Sequence, residues 1–207
     1  MVNRAHDKGR MAEGKNRAVF LDRDGTINVE KGYVHKIEDF EFIPGVPQAV
    51  RLLRDAGFLV IVVTNQSGVA RGYYPLGAVH TLHRHMDAEL AKHGAAVDAY
   101  YICPHHPEGE EQGYSMACGC RKPHPGMLME AAKDFSIDLA SSYMIGDHAS
   151  DVEAAVRAGC RPVFVTTGHG RDESARVPEG VPRFGSLPEA VRAIVGGIAW
   201  ENPETKD

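Results

Sequence analysis

The chain has 207 residues, 43% of them hydrophobic and 25% charged, with a formal net charge of −5. Those values describe one globular domain rather than a disordered or fibrous chain, and the acidic balance sets nucleic acid aside as a partner. No apolar run approaches the ~20 residues of a membrane span, so no membrane partner is expected either.

The stretch 1–17, MVNRAHDKGRMAEGKNR, has no apolar signal-peptide core and reads as a polar, poorly ordered leader. One domain is expected over 18–199, followed by a short tail at 200–207, in a cytoplasmic, monomeric protein. AVFLD (18–22) reads as a first strand, and VPQAVRLLRDAG (46–57) as a helix with Gly57 as its C-cap. FLVIVVTN (58–65) is a second strand. PLGAVHTLHRHMDAELAKHG (75–94) is a second helix, ending at Gly94. VDAYYIC (97–103), SSYMIGD (141–147) and RPVFVTT (161–167) continue the strands, with MLMEAAKDF (127–135) and SDVEAAVRAGC (150–160) as helices. Alternation of apolar strands with amphipathic helices predicts a Rossmann-like α/β fold, a parallel sheet covered on both faces in three layers. Two stretches break the pattern: 23–43, a flap too long for a simple strand-to-helix loop, and 103–123, rich in Cys, His, Pro and Gly.

Ligands of such a sheet collect beyond the carboxyl ends of its strands. The first strand delivers Asp22 and Asp24, the second Thr64-Asn65-Gln66-Ser67, and the fourth Asp147, with Asp151 four residues on; Arg121-Lys122 follows the odd loop. Singly, each has an ordinary explanation: an aspartate can cap a turn, and a lysine can face solvent. Together, carboxylates, a hydroxyl and an ammonium suit a Mg²⁺ ion holding a phosphate.

Three of the four cysteines fall in the odd loop. Cys103-Pro104-His105 and Cys118-Gly119-Cys120 supply three thiolates and one imidazole, the number for a closed, structural zinc site. His106 is the alternative to His105, and free thiols or a redox pair are the alternative to zinc. Cys160 reads as a small buried side chain at a helix end.

DRDGT, TNQSG, RKPHPGM and GDHASD, each after its strand, resemble the four motifs of the haloacid dehalogenase (HAD) phosphatase superfamily. Within it, DRDGTINVEKGYVHKIEDFEFIPGV, VVTNQSGVARGYY, YYICPHHPEG and CGCRKPHPGM are similar to the heptose bisphosphate phosphatases. The histidinol-phosphate phosphatases, which share DRDG and a Cys/His loop, are the nearest rival. The resemblance implies Asp22 as nucleophile, Asp24 as general acid and base, and Thr64 and Lys122 on the transferring phosphoryl group. It also implies Mg²⁺ on Asp22, Asp147 and the backbone carbonyl of Asp24, and zinc on Cys103, His105, Cys118 and Cys120. The substrate implied is a small sugar bisphosphate, with Glu30, Lys31, Gly32 and Tyr33 covering it and Asn65, Gln66 and Ser67 below. Arg121 is expected on its distal phosphate. The family carries lysine where this chain has His148, so a phosphate contact there would need a protonated imidazole.

Overall fold

The computed structural model describes residues 2–4 and 15–197. Most of the expected leader and all of the expected tail lie outside the described residues.

Six parallel strands form the sheet: β2 (Ala18–Leu21), β3 (Leu59–Asn65), β4 (Ala99–Cys103), β5 (Tyr143–Gly146), β6 (Arg161–Val165) and β7 (Arg183–Phe184). A short strand β1 (Val2–Arg4) pairs antiparallel with β4 at the edge, within the stretch expected to be an unordered leader. The order is β1-β4-β3-β2-β5-β6-β7. The chain winds outward from β2 through β3 and β4, then returns to the other side of β2 as β5. The switch point therefore lies between β2 and β5, where a crevice opens at the strands' carboxyl ends.

Alternation along each strand sorts the core into two layers. Val19, Leu21, Val60, Val62, Ile145 and Val163 face α1 (Val46–Asp55), α3 (Leu76–Ala91) and α7 (Leu187–Val195). Ala18, Phe20, Ile61, Val63 and Met144 face α4 (Gly126–Asp134) and α5 (Ala149–Ala158). Two four-residue helical turns, α2 (Ser67–Ala70) and α6 (Gly170–Glu173), complete the set.

The expected helices and strands are all present. Gly57 has φ +82° and ends α1 as anticipated: Gly57 and Phe58 N–H groups donate to the carbonyls of Arg54 and Leu53. Gly94, at φ +67°, closes α3 in the same manner. Besides β1, α2 and α6, two further elements go beyond the expectation, β7 and α7. β7 is too short and too polar to signal itself. α7 shows Leu187, Ala190, Val191 and Ile194 at i, i+3, i+4, i+7, a period visible in the sequence.

The flap over 23–43 is tied down by backbone bonds from Val29 N–H to Glu41 carbonyl and from Ile43 N–H to Ile27 carbonyl, with one 3-10 turn at Ile37–Asp39.

Candidate active site

Past the end of β2 the chain turns sharply. The carbonyl of Arg23 accepts from the N–H groups of Thr26, Ile27 and Asn28, and Gly25 takes φ +80°. A Cβ at Gly25 would collide with the Asp147 carboxylate, and so would one at Gly168, which has φ +53°. The two glycines thus let the backbone close on Asp147 from both sides. Asp147, at the end of β5, accepts from the His169 N–H at 2.8 Å and from the Thr26 hydroxyl at 3.4 Å.

Lys122 enters the crevice almost fully buried. Its Nζ lies 2.7 Å from Asp22 Oδ1 and 2.7 Å from Asp151 Oδ1, and donates to the Val63 carbonyl at 2.9 Å. The backbone of Lys122 is held by Asn65, whose Oδ1 accepts from the Lys122 N–H and whose Nδ2 donates to its carbonyl, both at 3.1 Å. The Lys122–Pro123 peptide is cis. Asp151 serves two ends at once: Oδ2 caps α5 by accepting from the His148 N–H at 2.9 Å, while the other oxygen faces Lys122.

Asp22, Asp147 and Asp151 bring carboxylate oxygens within 4.8 Å of one another, all buried. One ammonium cannot balance three buried carboxylates. Burial pushes Asp22 up to about 7 against the lowering by Lys122, with Asp151 adding to the rise. Burial, then Asp22 and Asp151, push Asp147 up to about 9. Burial disfavours the Lys122 ammonium, but Asp151 and Asp22 outweigh it and raise its pKa. Hard oxygen donors with excess negative charge are the set a divalent cation such as Mg²⁺ takes.

Asp151, which the sequence could also read as a cap, belongs to the acidic trio. Asp24 does not: its carboxylate accepts from Arg23, from Asn28 Nδ2 at 3.0 Å and from Gln66 Nε2 at 2.9 Å. His148 borders the crevice, but burial pushes its imidazole pKa down, which opposes the protonated contact expected there.

The crevice holds about 660 Å³. Asp22, Asp24, Thr64 and Lys122 form its floor, and Glu30, Gly32 and Tyr33 reach it from the flap. Ser67, Arg121 and His148 border it, and so do Tyr74, Ser150 and His169, which sequence reasoning did not single out. Tyr33, at φ +51°, meets Tyr73 edge-on at 4.8 Å, and His35 stacks on Tyr74 at 4.4 Å, so aromatic pairs pin the flap. Lys31 is absent from the crevice wall and instead pairs with Glu41 at 2.9 Å on the surface. Asn65 and Gln66 border the crevice, yet their amides are engaged by protein. Gln66 donates to Asp24 and Thr64 and accepts from Tyr74, and Asn65 grips Lys122.

The cysteine loop closes as a second cluster. Cys118 Sγ lies 3.6 Å from Cys103 Sγ and 3.2 Å from Cys120 Sγ. His105 Nδ1 is 3.7 Å from Cys103 Sγ and 3.4 Å from Cys120 Sγ. A tetrahedron with metal–sulfur bonds of about 2.3 Å has edges of about 3.8 Å, so the four atoms suit zinc. No two sulfurs are bonded. A hydrogen bond with Cys103 lowers Cys120 to about 5, and the same contact raises Cys103, so the pair shares one proton that a bound metal would displace. His106 is turned away, with Nδ1 accepting from the Glu108 N–H and Nε2 facing Arg71 at 3.3 Å. His105 is therefore the fourth ligand candidate. Cys160 is buried at the end of α5, as expected.

A strand-end aspartate paired with a lysine from a later loop, beside an acidic trio at the switch point, is the construction of a HAD-like phosphatase. Residues 119–188 match the HAD-hydrolase-like family. D-glycero-β-D-manno-heptose-1,7-bisphosphate 7-phosphatase from Escherichia coli K12 is 52% identical over 152 residues, 73% of this chain and 80% of that one. The enzyme of the same name from Photorhabdus laumondii is 44% identical over 180 residues, 86% of this chain and 96% of its own. The D,D-heptose 1,7-bisphosphate phosphatase of B. bronchiseptica, solved with magnesium and phosphate, superposes with a TM-score of 0.79 at 36% identity. That match covers 87% of this chain and 98% of the other. The chain belongs to the D-glycero-β-D-manno-heptose-1,7-bisphosphate 7-phosphatase family.

Proposed function

We propose that this chain removes the 7-phosphate of D-glycero-D-manno-heptose 1,7-bisphosphate, on the way to nucleotide-activated heptose for lipopolysaccharide core or other surface glycans. The observation that carries the substrate is the 52% identity to an enzyme of that name. The rival reading, a histidinol-phosphate phosphatase, gains no support from these relatives.

In this reading the Asp22 carboxylate attacks phosphorus in line. The bond to the sugar oxygen breaks as the aspartyl-phosphate forms. Asp24, in its protonated form, gives its proton to the departing alkoxide; the resulting carboxylate, the form that Arg23 pairs with, then takes one from the water that hydrolyses the intermediate and releases phosphate. Lys122, held between Asp22 and Asp151, keeps Asp22 aimed and neutralises phosphoryl oxygens, with the Thr64 hydroxyl beside it. Asp22, Asp147 and the backbone carbonyl of Asp24 would hold Mg²⁺, with Asp151 close by. When bound, the ion offsets the repulsion between an anionic nucleophile and a phosphate dianion. Glu30, Gly32 and Tyr33 cover the sugar and Ser67 supports it, while Asn65 and Gln66 act through Lys122 and Asp24. Arg121, whose hydrogen bond to the His105 carbonyl is a long 3.4 Å, keeps donors for the distal phosphate.

The zinc cluster holds the segment just before Arg121 and Lys122, so it fixes both cations without touching substrate. The protein acts on a diffusible sugar phosphate as a cytoplasmic monomer. Among the described residues, no helix is long and apolar enough to cross a membrane.

Phosphate release from both anomers of the heptose bisphosphate and from histidinol phosphate tests the reading. Preference for histidinol phosphate, or turnover retained in Asp22→Asn, would overturn it.

A further inference from the structure

Arg23 is the largest fully buried side chain in the described residues, with 0% exposure, yet it lies one position from the nucleophile and carries a charge. A buried cation persists only where its partners justify the desolvation. Here the partners are specific. Nε and Nη2 approach the Asp24 carboxylate side-on, at 3.1 and 2.6 Å from Oδ2, with Nη2 also 2.9 Å from Oδ1. Nη2 donates as well to the Val34 carbonyl in the flap at 2.7 Å. Nη1 lies 3.5 Å from Nε2 of His83, a buried imidazole stacked on Tyr100 at 4.2 Å.

The back wall can only work with His83 neutral, because an imidazolium would face the guanidinium across 3.5 Å without solvent. Burial, then Arg23, also push its pKa well down. With Nε2 turned to Nη1 as acceptor, the proton falls to Nδ1, which is buried and has no hydrogen-bond partner among the described residues. The guanidinium is thereby held on three sides: carboxylate in front, flap carbonyl above, imidazole behind. Two guanidinium donors converge on Oδ2 while one of them also reaches Oδ1, an arrangement that the single nitrogen of a lysine ammonium cannot reproduce.

We infer that Arg23 is a positioning residue for the phosphatase reaction, setting the orientation of the Asp24 carboxylate and tying it to the flap through the Val34 carbonyl. Arg23 touches neither substrate nor the reacting phosphorus. It acts by aiming the group that moves the proton, and by making that aim depend on a seated flap. The inference rests on the reading of Asp24 as acid and base.

The leaving group separates this from a merely structural role. A primary alkyl phosphate needs a proton delivered to its alkoxide, whereas an aryl phosphate with an acidic phenol leaves without one. Wild type, Arg23→Lys, Arg23→Gln and Asp24→Asn are compared on both, under single-turnover conditions. A group displaced by about an ångström loses about 10²-fold. The Arg23 variants should lose that much on the alkyl phosphate and only a few-fold on the aryl phosphate, in parallel with Asp24→Asn. If Asp24→Asn loses equally on both, the reading of Asp24 as the acid fails. If Asp24→Asn discriminates between them and the Arg23 variants do not, the positioning role is overturned.

A second measurement does not depend on how the Arg23 variants fold. In wild type the Arg23 Nε–H proton should be downfield and slow to exchange by NMR, and Asp24→Asn should shift it. A fast-exchanging Nε–H, or one indifferent to Asp24→Asn, would equally overturn the assignment.

Discussion

Lys122 Nζ stands 2.7 Å from Oδ1 of Asp22, a residue 100 positions earlier in the chain, and both side chains are almost wholly buried. The pair joins the end of β2 to the loop after the zinc cluster, and Asp151 completes it from α5. Removing the cation would leave this buried acidic trio without the ammonium that bridges Asp22 and Asp151. Lys122→Met should therefore abolish turnover and destabilise the metal-free protein by about 3–5 kcal/mol at neutral pH. Denaturant titration checks this, and a stability equal to wild type would show that Lys122 does not compensate the trio.

The same trio predicts how stability depends on pH. Asp22 and Asp147 have folded pKa values of about 7 and about 9, raised from 3.8. The folded state then binds more protons than the unfolded one between pH 4 and these values, so these groups lower stability as pH rises. Mg²⁺ replaces the protons, so its stabilisation should grow from about pH 5 to about pH 9. Thermal melts with and without Mg²⁺, after removal of Mg²⁺ by dialysis rather than by a chelator that strips zinc, give the difference directly. A Mg²⁺ effect independent of pH would show that the carboxylates are not its site.

Gly168 tests the close packing around Asp147. A Cβ there meets the Asp147 carboxylate and the Gly25 backbone, at a φ that disfavours a side chain. Gly168→Ala should cost roughly 1–3 kcal/mol in stability and weaken Mg²⁺ binding. Calorimetric titration with Mg²⁺ is the check; unchanged affinity would mean that Asp147 tolerates displacement.

Zinc should be present at about one equivalent, in line with a closed set of four ligands. Cys118→Ser and Cys120→Ser should lower the metal content and, through the loosened loop, the turnover. Cys160→Ser, outside the four-ligand group, should keep the zinc. Metal analysis of the three variants decides it, and full zinc in Cys120→Ser would exclude that thiol as a ligand.

Arg121→Ala should cost the heptose bisphosphate about 10–150-fold in kcat/KM, as for a lost charge-assisted pair, and a simple monophosphate ester much less. Equal losses on both substrates would assign Arg121 to the transferring phosphate or to the loop.

Much of this protein is legible along the chain, because the relevant information is local. Period-2 and period-3.6 patterns of apolar residues specify strands and helices, and Gly57 and Gly94 mark helix ends by backbone freedom alone. Asp22, Thr64, Lys122 and Asp147 stand at strand ends or in the loop that returns to them, where a parallel sheet gathers its ligands. Cys103, Cys118 and Cys120 declare a metal by ligand type and number.

Tertiary structure decided what depends on direction. Whether His105 or His106 completes the thiol cluster is a matter of which ring nitrogen faces the sulfurs. Asp24 and Asp151 both stand near strand ends in one dimension, yet Arg23 draws the first carboxylate out of the trio and Lys122 draws the second in. Lys31 falls on the outer side of the flap, and the amides of Asn65 and Gln66 are taken by protein. Nothing local in the sequence reveals that the Arg23 guanidinium will be buried. Its place follows from a carboxylate, a flap carbonyl and a helix imidazole that only the folded chain brings together, in a low-dielectric interior where each polar group must find a partner.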